Sequence, residues 1–238
     1  MPSVSVQGKV RWGDYGAVLF DLDGVITPTA SIHEKAWAAL FEPWGFTSGD
    51  YLAYVDGRPR YDGVRTFLVS RGVELPEGEP TDPPGDGTIC ALGNRKDEMF
   101  NAVLAREGIA PYPGSIAVMD HLDELAIPSA IVSSSKNART VLRSADIEGR
   151  FRAVVDGNTL VEEHLAGKPD PAMFVHAAQC LDVEPARAIV VEDAISGVAA
   201  GHAGHFGLVL GVDRGGNRQA LAEAGADLVV DDLGETLA

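Results

Sequence analysis

Ala17-Val18-Leu19-Phe20 is followed without a break by Asp21-Leu22-Asp23-Gly24-Val25-Ile26-Thr27. Four consecutive apolar residues suit a strand buried on both faces, because successive side chains point to opposite sides of a sheet. The run then stops on a carboxylate. Comparable runs recur down the chain: Ala130-Ile131-Val132 before Ser133, Ala153-Val154-Val155 before Asp156, and Ala188-Ile189-Val190-Val191 before Glu192. Leu208-Val209-Leu210 and Leu228-Val229-Val230 complete the set. Helical patterns lie between the runs, and this alternation predicts an α/β fold built on a parallel sheet. In such a sheet, ligands bind outside the carboxyl ends of the strands. The polar residues that end these runs are therefore expected to converge on one site.

The stretch from about Thr29 to Arg106 reads differently. Ser31-Ile32-His33-Glu34 has the spacing of a capping box, and Ile32, Trp37, Leu40, Phe41 and Trp44 form the apolar stripe of the helix it would open. Two further helical stretches are predicted over about 64–69 and 95–104. Between them, Pro76-Glu77-Gly78-Glu79-Pro80-Thr81-Asp82-Pro83-Pro84-Gly85-Asp86-Gly87 excludes helix and central strand alike. It fits an interdomain linker or a loop within a helical insertion. The second reading is preferred, because the sheet pattern resumes only near Ser129.

Composition narrows the function classes. The chain has 238 residues, 45% hydrophobic and 23% charged, a globular balance that can bury roughly 70% of the unfolded surface without disulfide or metal staples. Its 19 basic and 35 acidic residues give a net charge of −16. That field repels phosphodiester backbones and anionic lipid, so neither nucleic acid nor membrane is expected as a partner. A phosphorylated substrate would need a local cluster of Lys and Arg, or a metal. Cys90 and Cys180 have no metal-ligand spacing and read as reduced thiols of a cytoplasmic protein. Positions 1–16 lack a signal-peptide apolar core, and no run approaches the roughly 18 apolar residues of a membrane span.

Chemistry concentrates in four pieces. Asp21 and Asp23 can divide phosphoryl transfer, one attacking and the other carrying the proton of the leaving or entering oxygen. Taken alone, Asp-x-Asp-Gly is as easily a strand end and a turn. Ser133-Ser134-Ser135-Lys136-Asn137 offers hydroxyls, backbone N–H groups and a cation at a strand end, suited to a phosphate or merely to a helix cap. Gly167-Lys168-Pro169-Asp170-Pro171 puts a lysine before a helix, with Asp170 as N-cap and Pro171 at the first helical position. Glu192-Asp193 offers hard oxygen ligands for Mg²⁺ together with Asp21, or a solvated turn. Four such pieces in this order are hard to assign to chance.

The combination resembles the haloacid dehalogenase-like (HAD) superfamily, and its β-phosphoglucomutase-like family in particular. The resemblance covers nearly the whole chain. It implies a Rossmann-like core, 1–28 and 107–238, with a small helical cap inserted at 29–106. It also implies Asp21 as the phosphorylated nucleophile and Asp23 as general acid/base, its backbone carbonyl lent to the metal. Glu192 and Asp193 would hold Mg²⁺ with Asp21, while Ser133, Ser134 and Lys168 would bind the transferring phosphoryl group. Ser135, Lys136 and Asn137 would face the other phosphate, joined from the cap by Arg60 of Gly57-Arg58-Pro59-Arg60. His33, Trp37, Gly57 and Lys96 match cap residues that approach the substrate, although without the resemblance His33 and Lys96 would read as ordinary solvated side chains. Pro28 replaces the acidic residue usual at the cap hinge, and Gly201-His202-Ala203-Gly204-His205-Phe206 departs from the usual alternation away from the motifs.

The resulting expectation is a monomeric, cytoplasmic, Mg²⁺-dependent sugar phosphomutase. It would interconvert β-D-glucose 1-phosphate and glucose 6-phosphate through an aspartyl-phosphate and a 1,6-bisphosphate. The first alternative is a sugar phosphatase on the same scaffold, with water in place of the second hydroxyl. A non-catalytic sugar-phosphate sensor is disfavoured because binding alone needs no Asp21–Asp23 pair. The dehalogenase branch is disfavoured because Asp23 would have no proton to manage there. No nucleotide-binding Gly-x-x-x-x-Gly-Lys-Ser/Thr loop, Gly-x-Ser-x-Gly elbow or His-Glu-x-x-His zinc pair is present.

Overall fold

A computed structural model describes residues 9–237. The signal-peptide reading of 1–16 and the start of the expected core segment 1–28 lie outside the described residues as far as position 8. Six strands form one parallel sheet: β1 (Ala17–Phe20), β2 (Ser129–Val132), β3 (Ala153–Val155), β4 (Ala188–Glu192), β5 (Leu208–Val212) and β6 (Leu228–Val230). Their spatial order is β3-β2-β1-β4-β5-β6, so the chain winds outward from β1 in both directions. The crevice where that order reverses is the ligand position of a doubly wound sheet. Register fixes the strand ends, with Phe20 beside Ile131 on one flank and beside Val191 on the other.

The continuous apolar runs arise from two cores. Val18, Phe20, Ile131, Ile189 and Val191 pack on one face with Val118, Met119 and Leu122 of α5 (Pro113–Glu124). Leu19, Ala130, Val132 and Val190 pack on the other with Met173, Phe174 and Ala177 of α8 (Ala172–Cys180). Successive residues of β1 thus enter different cores, and the strand has no polar face to show in sequence. The remaining core helices are α6 (Ala138–Ser144), α7 (Gly157–Glu162), α9 (Ile195–Ala203) and α10 (Arg218–Glu223).

A helical segment is inserted between β1 and β2. It contains α1 (Thr29–Phe41), α2 (Ser48–Asp50) running into a π-helical turn Tyr51–Val55, α3 (Arg60–Ser70) and α4 (Ile89–Glu107). Trp37, Phe41, Val55, Phe67, Leu68 and Leu92 form its own core, with the Phe41 and Phe67 rings stacked 4.1 Å apart. Ile32 and Ala36 of α1 and Phe100 and Leu104 of α4 instead join the core of the sheet. The insertion is therefore seated on the parallel sheet through both of its longest helices.

Helix starts differ from the sequence reading. The first helix begins at Thr29 with Pro28 as N-cap, and Ser31 sits inside it, its Oγ donating to the Pro28 carbonyl at 2.9 Å. The capping box at Ser31–Glu34 does not form, because proline's fixed φ already suits the entry to a helix. Trp44 falls past the helix, in the 3₁₀ turn Glu42–Trp44. At α8 the start moves by one residue: Pro171 is the N-cap, and Asp170 Oδ1 accepts from Ala172 N–H at 2.9 Å. The fourth helix is longer than 95–104 because it continues through Gly93, where a Cβ would lie 2.6 Å from the Tyr61 ring. Residues 76–87 are irregular and tied to this helix, Ile89 N–H donating to the Pro76 carbonyl at 3.0 Å, as expected for a loop within an insertion. Among the described residues, no helix is long and apolar enough to cross a membrane.

Candidate active site

The strand ends bring the acidic motifs together. Asp21 N–H donates to the Val191 carbonyl at 2.9 Å, which carries the β1–β4 ladder one residue past the strand and sets Asp21 beside Glu192. Lys168 reaches up between them. Its Nζ lies 2.6 Å from Asp21 Oδ1, 2.6 Å from Glu192 Oε1 and 2.9 Å from the Val132 carbonyl, so all three ammonium protons have acceptors. Burial alone would lower the Lys168 pKa, but the charges of Asp21 and Glu192 outweigh it and raise it. Glu192 is held in turn by Ala194 N–H, 2.8 Å from Oε2. At Gly24, φ is +91° and a Cβ would lie 1.7 Å from Asp193 Oδ2, so only glycine lets the two loops meet.

These residues fit a divalent cation. Ligand oxygens of Asp21, Glu192 and Asp193 lie within 4.8 Å of one another and all three residues are buried. Asp21 and Glu192 pair with the Lys168 ammonium, so the three carboxylates, fully ionised, would carry two negative charges in excess. Burial pushes the Asp21 carboxyl well above the usual range; Lys168 opposes the rise, while Glu192 and Asp23 add to it. Burial also raises Asp193, reinforced by the charges of Asp56, Glu192 and Asp21. A hard dication bound by these oxygens relieves both penalties.

Asp23 faces the insertion instead. Thr29 Oγ1 donates to its Oδ1, His33 Nε2 lies 3.3 Å from the same oxygen, and Ser133 Oγ lies 3.4 Å from Oδ2. Burial would raise this carboxyl, yet His33, Thr29 and Lys96 together bring it below the usual range. His33 stacks on Phe100 at 4.1 Å, and Lys96 Nζ contacts His33 Nδ1 while lying 5.0 Å from the Trp37 ring. Burial lowers Lys96 to about 7, and burial together with Lys96 lowers His33, so the two nitrogens resist being charged at once.

The loop after β2 forms the opposite seam. Ser133 Oγ accepts from Ser135 N–H and Ser135 Oγ from Asn137 N–H, both at 3.1 Å, a pair of turns that starts α6. Three contacts tie this core to the insertion: Ser134 Oγ to the Gly57 carbonyl at 2.8 Å, Ser196 Oγ to the Asp56 carbonyl at 3.1 Å, and Asn137 Nδ2 to Asp97 Oδ1 at 2.6 Å. Asp97 Oδ2 pairs with Arg60 Nη1 at 2.9 Å. Lys136 Nζ lies 5.7 Å from the Tyr61 ring centre.

One cavity of about 330 Å³ gathers most of the residues singled out in sequence: Asp21, Asp23, His33, Trp37, Gly57, Arg60, Lys96, Ser133, Ser134, Ser135, Lys136, Asn137 and Asp193. Lys168 and Glu192 lie beneath its wall, with fully buried side chains. Three residues here escape the sequence reading. Thr29 looks like part of a turn until its hydroxyl meets Asp23. Asp97 sits next to Lys96 but one step around the helix, and its partners are 37 and 40 positions away. Asp56 precedes the quoted Gly57 motif; burial and the charge of Glu192 raise its carboxyl to about 7. Adjacency to a motif residue was the only available signal for Asp56 and Asp97.

The chain is similar to known proteins over most of its length. The family described as haloacid dehalogenase-like hydrolase matches residues 15–205. The β-phosphoglucomutase of Mycobacterium bovis is 45% identical, the match spanning 93% of this chain and 91% of that protein. The β-phosphoglucomutase of Bacillus subtilis is 34% identical over 90% of this chain and 88% of its own length. Among solved structures, the β-phosphoglucomutase of Clostridium difficile superposes with a TM-score of 0.76 at 25% identity, covering 93% of this chain and 92% of that one.

Proposed function

The chain belongs to the haloacid dehalogenase-like hydrolase family and is an enzyme of the phosphotransferase/isomerase kind, and from that premise we propose a Mg²⁺-dependent sugar phosphomutase. Its substrates would be β-D-glucose 1-phosphate and glucose 6-phosphate, exchanged through an aspartyl-phosphate on Asp21 and a 1,6-bisphosphate. The observation that carries this reading is the shared cavity: the Asp21–Asp23 pair and a second cationic group, Arg60 with Lys136, line the same space. A bisphosphate requires two anion sites, whereas hydrolysis of one ester requires one. We further propose the division into a core, 1–28 and 107–238, and a cap, 29–106, in a monomeric cytoplasmic protein.

In this proposal Asp21 Oδ1 stays on Lys168, and Oδ2 is the oxygen that attacks phosphorus in line with the departing sugar oxygen. Ser133 would hold a transferring phosphoryl oxygen, joined by Lys168 once its bond to Glu192 or to the Val132 carbonyl is exchanged for one. Asp23 Oδ1 is anchored by Thr29 and lies beside His33, so Oδ2 is the freer oxygen and carries the proton to and from the sugar. Asp21, Glu192, Asp193 and the Asp23 carbonyl would hold Mg²⁺, which when bound supplies charge neutralisation on the phosphoryl oxygens. Ser135, Lys136, Asn137 and Arg60 would grip the other phosphate, with Trp37, Gly57, His33 and Lys96 around the sugar. Arg60 can make two parallel hydrogen bonds to a phosphate, whereas Lys136 acts as a point charge.

The second reading, a sugar phosphatase, rests on the hydrolase description of the family as a whole. Phosphorus NMR separates the two. With β-glucose 1-phosphate, Mg²⁺ and a trace of the 1,6-bisphosphate, a mutase accumulates the glucose 6-phosphate resonance. Accumulation of inorganic phosphate alone would favour the phosphatase.

A further inference from the structure

Asp97 occupies two of the donors that the proposed function assigns to the distal phosphate. Its Oδ2 takes Arg60 Nη1 at 2.9 Å and its Oδ1 takes Asn137 Nδ2 at 2.6 Å. One carboxylate thereby joins the first residue of α3 to the N-cap of α6, across the seam between insertion and core. Lys136, the third donor of that group, is adjacent in sequence to Asn137 and lies against Tyr61. The Arg60 and Asp97 side chains are 16% and 29% exposed, so the pair is partly shielded from water and its attraction is only partly screened.

We infer that Asp97 is a built-in competitor for the distal phosphate, holding Arg60 and Asn137 together until a phosphorylated sugar displaces it. The inference rests on the distal-site reading of Arg60 and Asn137. Two carboxylate oxygens receiving two N–H donors from two elements reproduce the way a phosphate would bridge those elements. The exchange favours a phosphate dianion, which brings more charge and three free oxygens, over a carboxylate or a neutral sugar. Asp97 therefore acts on specificity: it admits ligands able to replace it and leaves the seam tied when none is bound. The apparent affinity for the true ligand is lowered by the fraction of molecules in which the tie is made.

The experiment is a calorimetric titration of glucose 6-phosphate in the presence of chelator, so that no phosphoryl transfer accompanies binding. Four proteins are compared: the parent, Asp97→Asn, Arg60→Ala and the double variant. Asp97→Asn keeps the side-chain shape and removes the charge that competes. Its dissociation constant should fall by about three- to tenfold, the range for a tie made in roughly 70–90% of free molecules. Arg60→Ala should weaken binding, and in that background Asp97→Asn should give little gain. Unchanged or weaker binding by Asp97→Asn, with Arg60→Ala also weak, overturns the competitor and leaves the distal site standing, since Asp97 would then orient Arg60 for the anion. An equal gain in both backgrounds also overturns it, since simple charge repulsion would suffice. Unchanged binding by Arg60→Ala removes the distal site and the competitor together.

Discussion

Asp21 and Asp23 stand two positions apart on one loop, yet their surroundings push the two carboxyls in opposite directions. Burial beside Glu192 raises Asp21, with Lys168 opposing the rise, while His33, Thr29 and Lys96 outweigh burial at Asp23 and lower it. A nucleophile must be ionised and a proton donor protonated, so this division is the reverse of what transfer needs until a dication at Asp21 lowers its carboxyl. Asp21→Asn should abolish turnover with the circular dichroism of the parent retained, and chelation should do the same reversibly. Activity within about tenfold of the parent, roughly 1.4 kcal/mol in barrier, would remove Asp21 from the role. Asp23→Asn should slow transfer from a sugar phosphate by about 10² or more. Acetyl phosphate, whose leaving group needs little protonation, should lose far less, and equal losses on both donors would count against a proton-carrying role. Lys96 offers a pH test. Its folded pKa of about 7 lies below the ordinary lysine value, so between the two the unfolded chain binds the extra proton and stability rises with pH. Lys96→Met should therefore be more stable than the parent at pH 7, with the gap closing towards pH 10. Denaturant melts across that range check it, and a constant gap would show that Lys96 is not carried neutral in the fold.

At the level of elements, the strands were legible in the sequence and the helix starts were not. A residue run such as Ala188-Ile189-Val190-Val191 must be buried on both faces, and the structure fills both sides of it. Which residue opens a helix is a closer contest. Pro28 wins over Ser31 because its ring already has the needed φ, and the adjacent Thr29 hydroxyl is drawn to Asp23. The four motifs were legible for the same reason as the strands, because each follows a strand or precedes a helix at one end of the sheet. Asp97 was not legible, since beyond its adjacency to Lys96 nothing local distinguishes it from the many other acids of this chain. The seam itself turns on Gly57, which has φ +68° and whose added Cβ would lie 2.5 Å from Ser196 Oγ and 3.0 Å from Ala194 Cβ. Gly57→Ala should strain the backbone by about 1–2 kcal/mol and lift the insertion off the core. Thermal stability should fall slightly while the share of phosphate lost to water rises. A normal product ratio in this variant would show that the seam does not keep water out.

For the molecule as a whole, the issue is how a chain with net charge −16 would handle the doubly phosphorylated intermediate proposed for it. The basic groups available for it are local: Lys168 beside Asp21, and Arg60 with Lys136 in the cavity that Asp21 lines. Because Arg60 belongs to the insertion and Lys136 to the core, a phosphate held by both would couple binding to closure, and closure would shield the aspartyl-phosphate. Arg60→Ala should cut mutase flux and raise hydrolysis, and Arg60→Lys should recover only part of the loss. Hydrolysis unaffected by Arg60→Ala would uncouple that arginine from water exclusion. The deciding assay follows glucose 6-phosphate and inorganic phosphate side by side, from β-glucose 1-phosphate and Mg²⁺, with and without added β-glucose 1,6-bisphosphate. A phosphomutase forms glucose 6-phosphate with little free phosphate and speeds up when the bisphosphate is added. Stoichiometric release of phosphate, indifferent to the bisphosphate, would make the protein a phosphatase.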